Sequence, residues 1–160
     1  MQNVFSFSRI AVTVEAIEFR DPQPEPGQEG TERGARIELK LLEPQPARGS
    51  IYASDDVLIG RALWRADLLE SANNPGARDR MHFHPVMTDS EPGDRVFDPA
   101  LSADPIGWLR ERLQSVPQIL QDNDLTDIDG YRDDMEQLRQ HIDEVMSAAE
   151  ARLSEARTFG

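Results

Sequence analysis

Two histidines one residue apart, His82-Phe83-His84, are the place in this chain where residue type and spacing first suggest chemistry. On an extended strand, side chains two residues apart point to the same face, about 7 Å apart along the chain. Imidazoles so placed can share a metal ion, or serve as acid and base on one substrate. The neighbouring sequence supplies charge. Arg61–Leu69 and Arg78–His84 both alternate apolar with polar residues, and Asn73-Asn74-Pro75-Gly76 between them is a strong turn signal. A hairpin is expected, with Trp64, Ala66, Leu68, Met81 and Phe83 on its buried face. The other face collects Arg61, Arg65, Asp67, Arg80, His82 and His84. The most direct pairing sets Asp67 opposite Arg80 and Arg65 opposite His82.

Guanidinium groups bind carboxylate and phosphate bidentately, so Arg65, Arg80, His82 and His84 form a candidate anion-binding set. In a hydrolytic version, His82 or His84 is the acid or base and arginine stabilises a phosphoryl transition state. A metal held by His82 and His84 is the lesser alternative, because Arg61, Arg65 and Arg80 would repel a dication and Asp67 is the one carboxylate clearly among them. The plain structural reading is a polar face whose charges pair across strands. No residue is assigned as catalytic, and no cofactor is expected. The chain has no Gly-x-Ser-x-Gly elbow, phosphate loop, dinucleotide fingerprint or zincin helix. Asp55-Asp56 and Asp127–Asp129 lack the ligand spacing of a calcium loop and read as solvated turns. There is no cysteine, which excludes disulfides, thiolate metal sites and a thiol nucleophile.

The elements that must position this face run strands first and helices after, the order of an α+β domain with an antiparallel sheet. A chain of 160 residues suits one domain, 1–160, with a sheet region over 9–98 of about five strands. Ile10, Val12, Val14 and Ala16 alternate with polar residues; the apolar parity then moves to Ile17 and Phe19, which predicts a bulge near Ala16. Residues 21–34 hold three prolines and three glycines and are expected to be a mobile loop. Ile37, Leu39 and Leu41 mark a second strand. Ile51–Ala53 and Val57–Ile59 flank the turn-like Ser54-Asp55-Asp56, and Arg95–Asp98 is a short final piece.

The period then changes. Asp104-Pro105 reads as an N-cap with proline at the first helical position, opening a helix over 104–122 that Pro117 kinks or ends. Trp108 on it reads as an anchor between helix and sheet. A long helix follows over 127–157, with Ile128, Tyr131, Met135, Leu138, Ile142, Val145 and Ala149 in a heptad stripe. That stripe lies either on the domain's own sheet and first helix, or along a dimer seam.

The formal net charge of −13 argues against general binding to nucleic acid or anionic membrane. Arginine outnumbers lysine: of 17 basic residues Lys40 is the one lysine, a bias more of coding than of surface chemistry. The first residues carry no basic stretch followed by an apolar run, and no segment reaches the roughly 20 apolar residues of a membrane-spanning helix. A cytoplasmic address is expected.

Two local patterns carry resemblances. Gly76, five intervening residues and His82-Phe83-His84 resemble the start of the cupin metal motif. Beyond Asp89 the expected glutamate and glycine spacing are missing; the second cupin motif is absent, with His141 on the late helix and too few strands downstream to close a barrel. Leu63-Trp64-Arg65-Ala66-Asp67-Leu68-Leu69, Arg80–Pro85, Asp94–Pro99 and Asp104–Leu109 together look like a group of uncharacterised actinobacterial proteins of similar length, over about residues 62–113. That resemblance implies no activity, and a fainter likeness to small toxin-family proteins transfers no residue.

Three functional expectations follow. The first is a non-enzymatic interaction or accessory protein that self-associates, or binds another protein, through the C-terminal helix. The second is a small enzyme or ligand-binding protein using the Arg65, Arg80, His82 and His84 face for an anionic ligand. The third, motivated by charge alone, is an acidic inhibitor that mimics nucleic acid.

Overall fold

Alternation of apolar and polar residues dictates the sheet. A computed structural model describes residues 1–27, 29–44 and 57–159. Its first strands are β1 (Gln2–Ser6), β2 (Ile10–Arg20), β3 (Thr31–Pro44), β4 (Val57–Ser71) and β5 (His82–His84), which form one antiparallel sheet in chain order. The register places Val12, Leu39 and Trp64 in one row, and Val14, Ile37, Ala66 and Phe83 in the next. These side chains are buried and make one face of the sheet the floor of the core.

The helices cover that floor. They are α1 (Pro99–Ala103), α2 (Pro105–Leu113), α3 (Val116–Asp122), α4 (Arg132–Gln140) and α5 (Ile142–Ala156), with a short 3-10 turn at Ile128–Tyr131. Asp104 caps α2 by accepting from the Gly107 N–H at 3.0 Å, as the Asp-Pro signal predicts. Trp108 stacks on Trp64 at 6.1 Å and meets Phe83 at 4.8 Å, so it is the helix-to-sheet anchor. Leu138, Ile142, Val145 and Ala149 are all buried, and α5 lies across β2 and β3. The heptad stripe thus packs on the sheet of its own chain. No described helix is long and apolar enough to cross a membrane.

Several boundaries differ from the sequence reading, each for a physical reason. The loop expected over 21–34 is shorter, because Thr31–Gly34 already pair with Ile17–Arg20. The bulge near Ala16 does not occur: β2 runs in unbroken register from Ile10 to Arg20. The parity switch has another cause, since Ile17 and Phe19 face the opposite side of the sheet, and Phe19 there walls a cavity. Register shifts do occur in the β3–β4 pairing, around Lys40. Val57–Ile59 belongs to the same long strand as Trp64, whereas Ile51–Ala53 and Asp55-Asp56 lie outside the described residues. The 104–122 helix is two helices, parted before Pro117, and the 127–157 helix is broken at His141. Of Arg95–Asp98, Val96 alone pairs, exchanging N–H···O bonds of 3.0 and 2.9 Å with Phe83. Asp127 accepts from Gly130 N–H and pairs with Arg9 at 3.1 Å, so it is a structural cap.

The end of α5 is tied to β4 by a carboxylate. Glu70 accepts from Arg157 at 2.6 and 2.9 Å and from the Gly76 N–H at 3.1 Å. The Arg157 hydrogen bond, ahead of the opposing effect of burial, holds the Glu70 carboxyl below its ordinary value. A carboxylate depressed in the folded state stabilises it above the unfolded-state pKa of about 4.3, and that stability is lost as pH falls through the folded value. Urea midpoints measured from about pH 5 to about pH 3 are therefore expected to fall more steeply for the parent than for Glu70→Gln. Parallel curves would contradict the assignment.

Candidate functional site

The far face of the sheet carries charges in rows. Cross-strand pairing aligns Glu15, Arg36, Asp67 and His82 in one row, and Thr13, Glu38, Arg65 and His84 in the next. Asp67 therefore stands opposite His82, and Arg65 opposite His84, two residues along from the pairing the turn signal suggests. The connection explains the slip. Residues 72–81 fold through consecutive turns, closed by Asn74 N–H to Ser71 O, Ala77 N–H to Asn74 O and Met81 N–H to Arg78 O, so Arg78–Arg80 never join the strand.

This face is covered where the histidines lie. After β5 the chain makes a small hairpin, β6 (Met87–Thr88) and β7 (Glu91–Pro92). Its two turn residues, Asp89 and Ser90, have φ of 50° and 65°, the left-handed pair that closes a tight type I′ hairpin. The Ser90 hydroxyl accepts from the Ala62 N–H at 3.1 Å and ties the hairpin to β4. A β-carbon on Gly93 would lie 2.8 Å from Val86 O, so glycine lets the two chains close. Phe97 then packs 5.4 Å from the His82 ring. Under this cover Asp67, His82 and His84 are 3, 4 and 4 % exposed, although they sit on the nominally outer face.

The histidine rings are fixed by their Nδ1 atoms. His82 Nδ1 lies 3.0 Å from Arg80 O, and His84 Nδ1 lies 3.0 Å from Gly93 O. A carbonyl can only accept, so each Nδ1 carries a proton and donates it. In the neutral ring that leaves the lone pair on Nε2. Both Nε2 atoms point at one oxygen: Asp67 Oδ2 is 3.5 Å from His82 Nε2 and 3.9 Å from His84 Nε2. One ligand atom from each of the three residues falls within 4.8 Å of the others.

Charge around the triad is compensated. Arg36 binds Asp67 through both oxygens, at 2.8 and 3.3 Å, and Arg65 donates to Glu38 at 3.2 and 3.3 Å. Burial by itself would raise the Asp67 carboxyl; with no cation between them, a proton on His82 Nε2 donated to Asp67, together with Arg36, outweighs burial and holds the group at about 2. Burial is also the largest influence on His84 and moves its imidazole below the ordinary value, against the Gly93 carbonyl, which favours the charged ring. The triad opens onto a cavity of about 160 Å³ walled by Phe19, Leu69 and Pro92, with Arg95 at its exposed rim.

Of the four residues expected to bind an anion, His82, His84 and Arg65 line this cavity and Arg80 does not. Arg80 is a buried ion-pair partner of Glu32, and Arg65 is engaged by Glu38. Arg61 is absent from the lining as well. The arginine objection to a metal therefore weakens, since each expected repelling charge is paired or displaced. His141 lies elsewhere, beside Glu144 at 3.0 Å, and Asp89 serves the hairpin turn. Sequence reasoning missed Arg36 and Arg95 as members of the site. Arg36 had a signal, because it alternates with Ile37 on the polar side of β3.

No family model matches the chain, and neither a curated protein nor a solved structure does. Fold and site together define an α+β protein with a five-stranded antiparallel sheet, helices on one face and a covered polar cavity on the other.

Proposed function

We propose that this protein is a mononuclear metalloprotein whose ion is held by Asp67 Oδ2, His82 Nε2 and His84 Nε2. One observation carries the reading: two imidazoles with Nδ1 tied to carbonyls turn both Nε2 atoms toward the same carboxylate oxygen. Lone pairs and a carboxylate so arranged repel one another unless a proton or a cation lies between them. Histidines that ligate metals show the same support, one nitrogen on the ion and the other donating to a carbonyl. Two imidazoles and one carboxylate suit zinc or ferrous iron, while calcium and magnesium take oxygen donors. Three protein ligands beside a cavity resemble catalytic centres, where an open position takes water or substrate, more than closed structural ones.

An ion bound to the folded chain alone stabilises it by mass action, about 2.7 kcal/mol at a hundredfold excess over Kd. For a chain of this size that is a rise in Tm of about 5–10 °C. Zinc is expected to produce it, and magnesium and calcium are not. His82→Ala and His84→Ala each lower the baseline Tm by leaving a buried gap, so the quantity to compare is the zinc-dependent increment, which both should lose. No increment in the parent would sink the proposal.

An accessory role through the C-terminal helix would have to use that helix's polar faces, because its apolar stripe lies on β2 and β3.

A further inference from the structure

We infer that the ligand completing the metal's coordination is a small oxyanion, of the carboxylate or phosphate class, anchored at its far end by Arg95. The inference rests on the metal reading above and names what the site takes. Charge points to an anion. Arg36 is paired with Asp67 and Arg65 with Glu38, so among the cavity's arginines Arg95 alone has no carboxylate partner among the described residues. Its guanidinium lies loosely over the Phe19 ring, 5.8 Å from the ring centre. A dication bound to Asp67 would leave an excess of positive charge facing the cavity, with the free guanidinium at the mouth. Guanidinium presents a planar fork of donors that matches carboxylate and phosphate oxygens.

Shape limits the size. A cavity of about 160 Å³ encloses a group of a few heavy atoms, and anything larger would extend beyond its mouth. Phe19, Leu69 and Pro92 give it apolar walls, which favour a ligand with a short apolar part and keep water from screening the charges. The arrangement is that of a bidentate hold: one oxygen on the ion and the others on Arg95. Arg95 is exposed and among the described residues makes no hydrogen bond or ion pair, so Arg95→Ala should fold as the parent does.

The test uses the full chain, with acetate and inorganic phosphate as probes and perchlorate at matched ionic strength as the control. Zinc uptake is measured first, on the parent and on Arg95→Ala, and both should load equally. Calorimetric titration of the zinc-loaded parent should then show binding of acetate or phosphate, and which of them binds more tightly identifies the class. Arg95→Ala should lose at least about tenfold in that affinity, the scale of one lost charge-assisted hydrogen bond. Zinc-loaded parent that binds neither probe, or Arg95→Ala that binds as tightly as the parent, overturns the inference and leaves the metal reading standing. A parent that takes up no zinc overturns both.

Discussion

Replacing Leu138 and Ile142 together with aspartate is expected to give a chain that does not fold cooperatively. Leu138 is fully buried and Ile142 is 6 % exposed, and both lie in the core over the sheet. An aspartate at either place would be an unpaired charge in an apolar setting, at a cost of several kcal/mol each. Two such penalties are comparable to the roughly 5–15 kcal/mol by which domains are typically stable. Loss of the near-UV circular dichroism signal and of a sigmoidal melt is the expected readout. A folded, monomeric double variant of a dimeric parent would instead mean that the stripe is an intersubunit seam, and would contradict the packing of α5 on β2 and β3.

Asp134→Ala is expected to destabilise the fold by about 3–5 kcal/mol, which is large for one side chain. The Asp134 carboxylate is buried on α4 and accepts three backbone N–H groups where the chain turns into β2: Ser8 at 3.3 Å, Arg9 at 2.6 Å and Ile10 at 3.0 Å. Removing it strands the buried Ile10 N–H, at a cost of about 1–3 kcal/mol, and takes a charge-assisted bond from the part-buried Ser8 and Arg9 N–H groups. Asp134→Asn keeps one acceptor oxygen and should lose less. Urea denaturation checks both, with the slope m unchanged if the native state stays intact. A loss below about 1 kcal/mol for the alanine variant would show that water or a local shift satisfies these donors.

These two sites also mark what the sequence could and could not disclose. Period-two alternation in β4 and β5 was enough to divide Trp64, Ala66, Leu68 and Phe83 from Arg65, Asp67, His82 and His84, because side-chain direction follows local backbone geometry. The same logic made Asp104-Pro105 a helix start. Pairing between residues distant in sequence is another matter. Asp67 meets His82 because 72–81 fold as turns, and it meets Arg36 because β3 and β4 pair across a connection of unrelated sequence. Asp134 carries no local mark at all, since an acidic residue in the first turn of a helix usually serves that helix. Burial of the histidine face was legible only in hindsight: Ile17 and Phe19 on the polar side imply a cover over it, which a bulge would also have explained. The break at His141 has no sequence signal, for neither proline nor glycine occurs there.

Function turned on which charges neutralise one another. From the sequence, arginines and histidines on one face argued for an anion and against a dication. Pairing of Arg36 with Asp67, Arg65 with Glu38 and Arg80 with Glu32 removes most of that positive field. Beside the cavity, the carboxylate shared with Arg36 faces two imidazoles whose nitrogens converge on it, and Arg95 at the mouth has no carboxylate partner among the described residues. Converging lone pairs favour a cation within, and the arginine beyond it favours an anion.

X-ray absorption at the zinc edge, on protein loaded with one equivalent of the ion, tests the metal centre most directly. The predicted spectrum has a first shell of nitrogen and oxygen at about 2.0–2.1 Å, with the outer-shell scattering of two imidazole rings. His84→Ala loaded in the same way should show at most one ring. A parent spectrum with oxygen ligands alone and no imidazole scattering would contradict coordination by His82 and His84, and with it the proposed function.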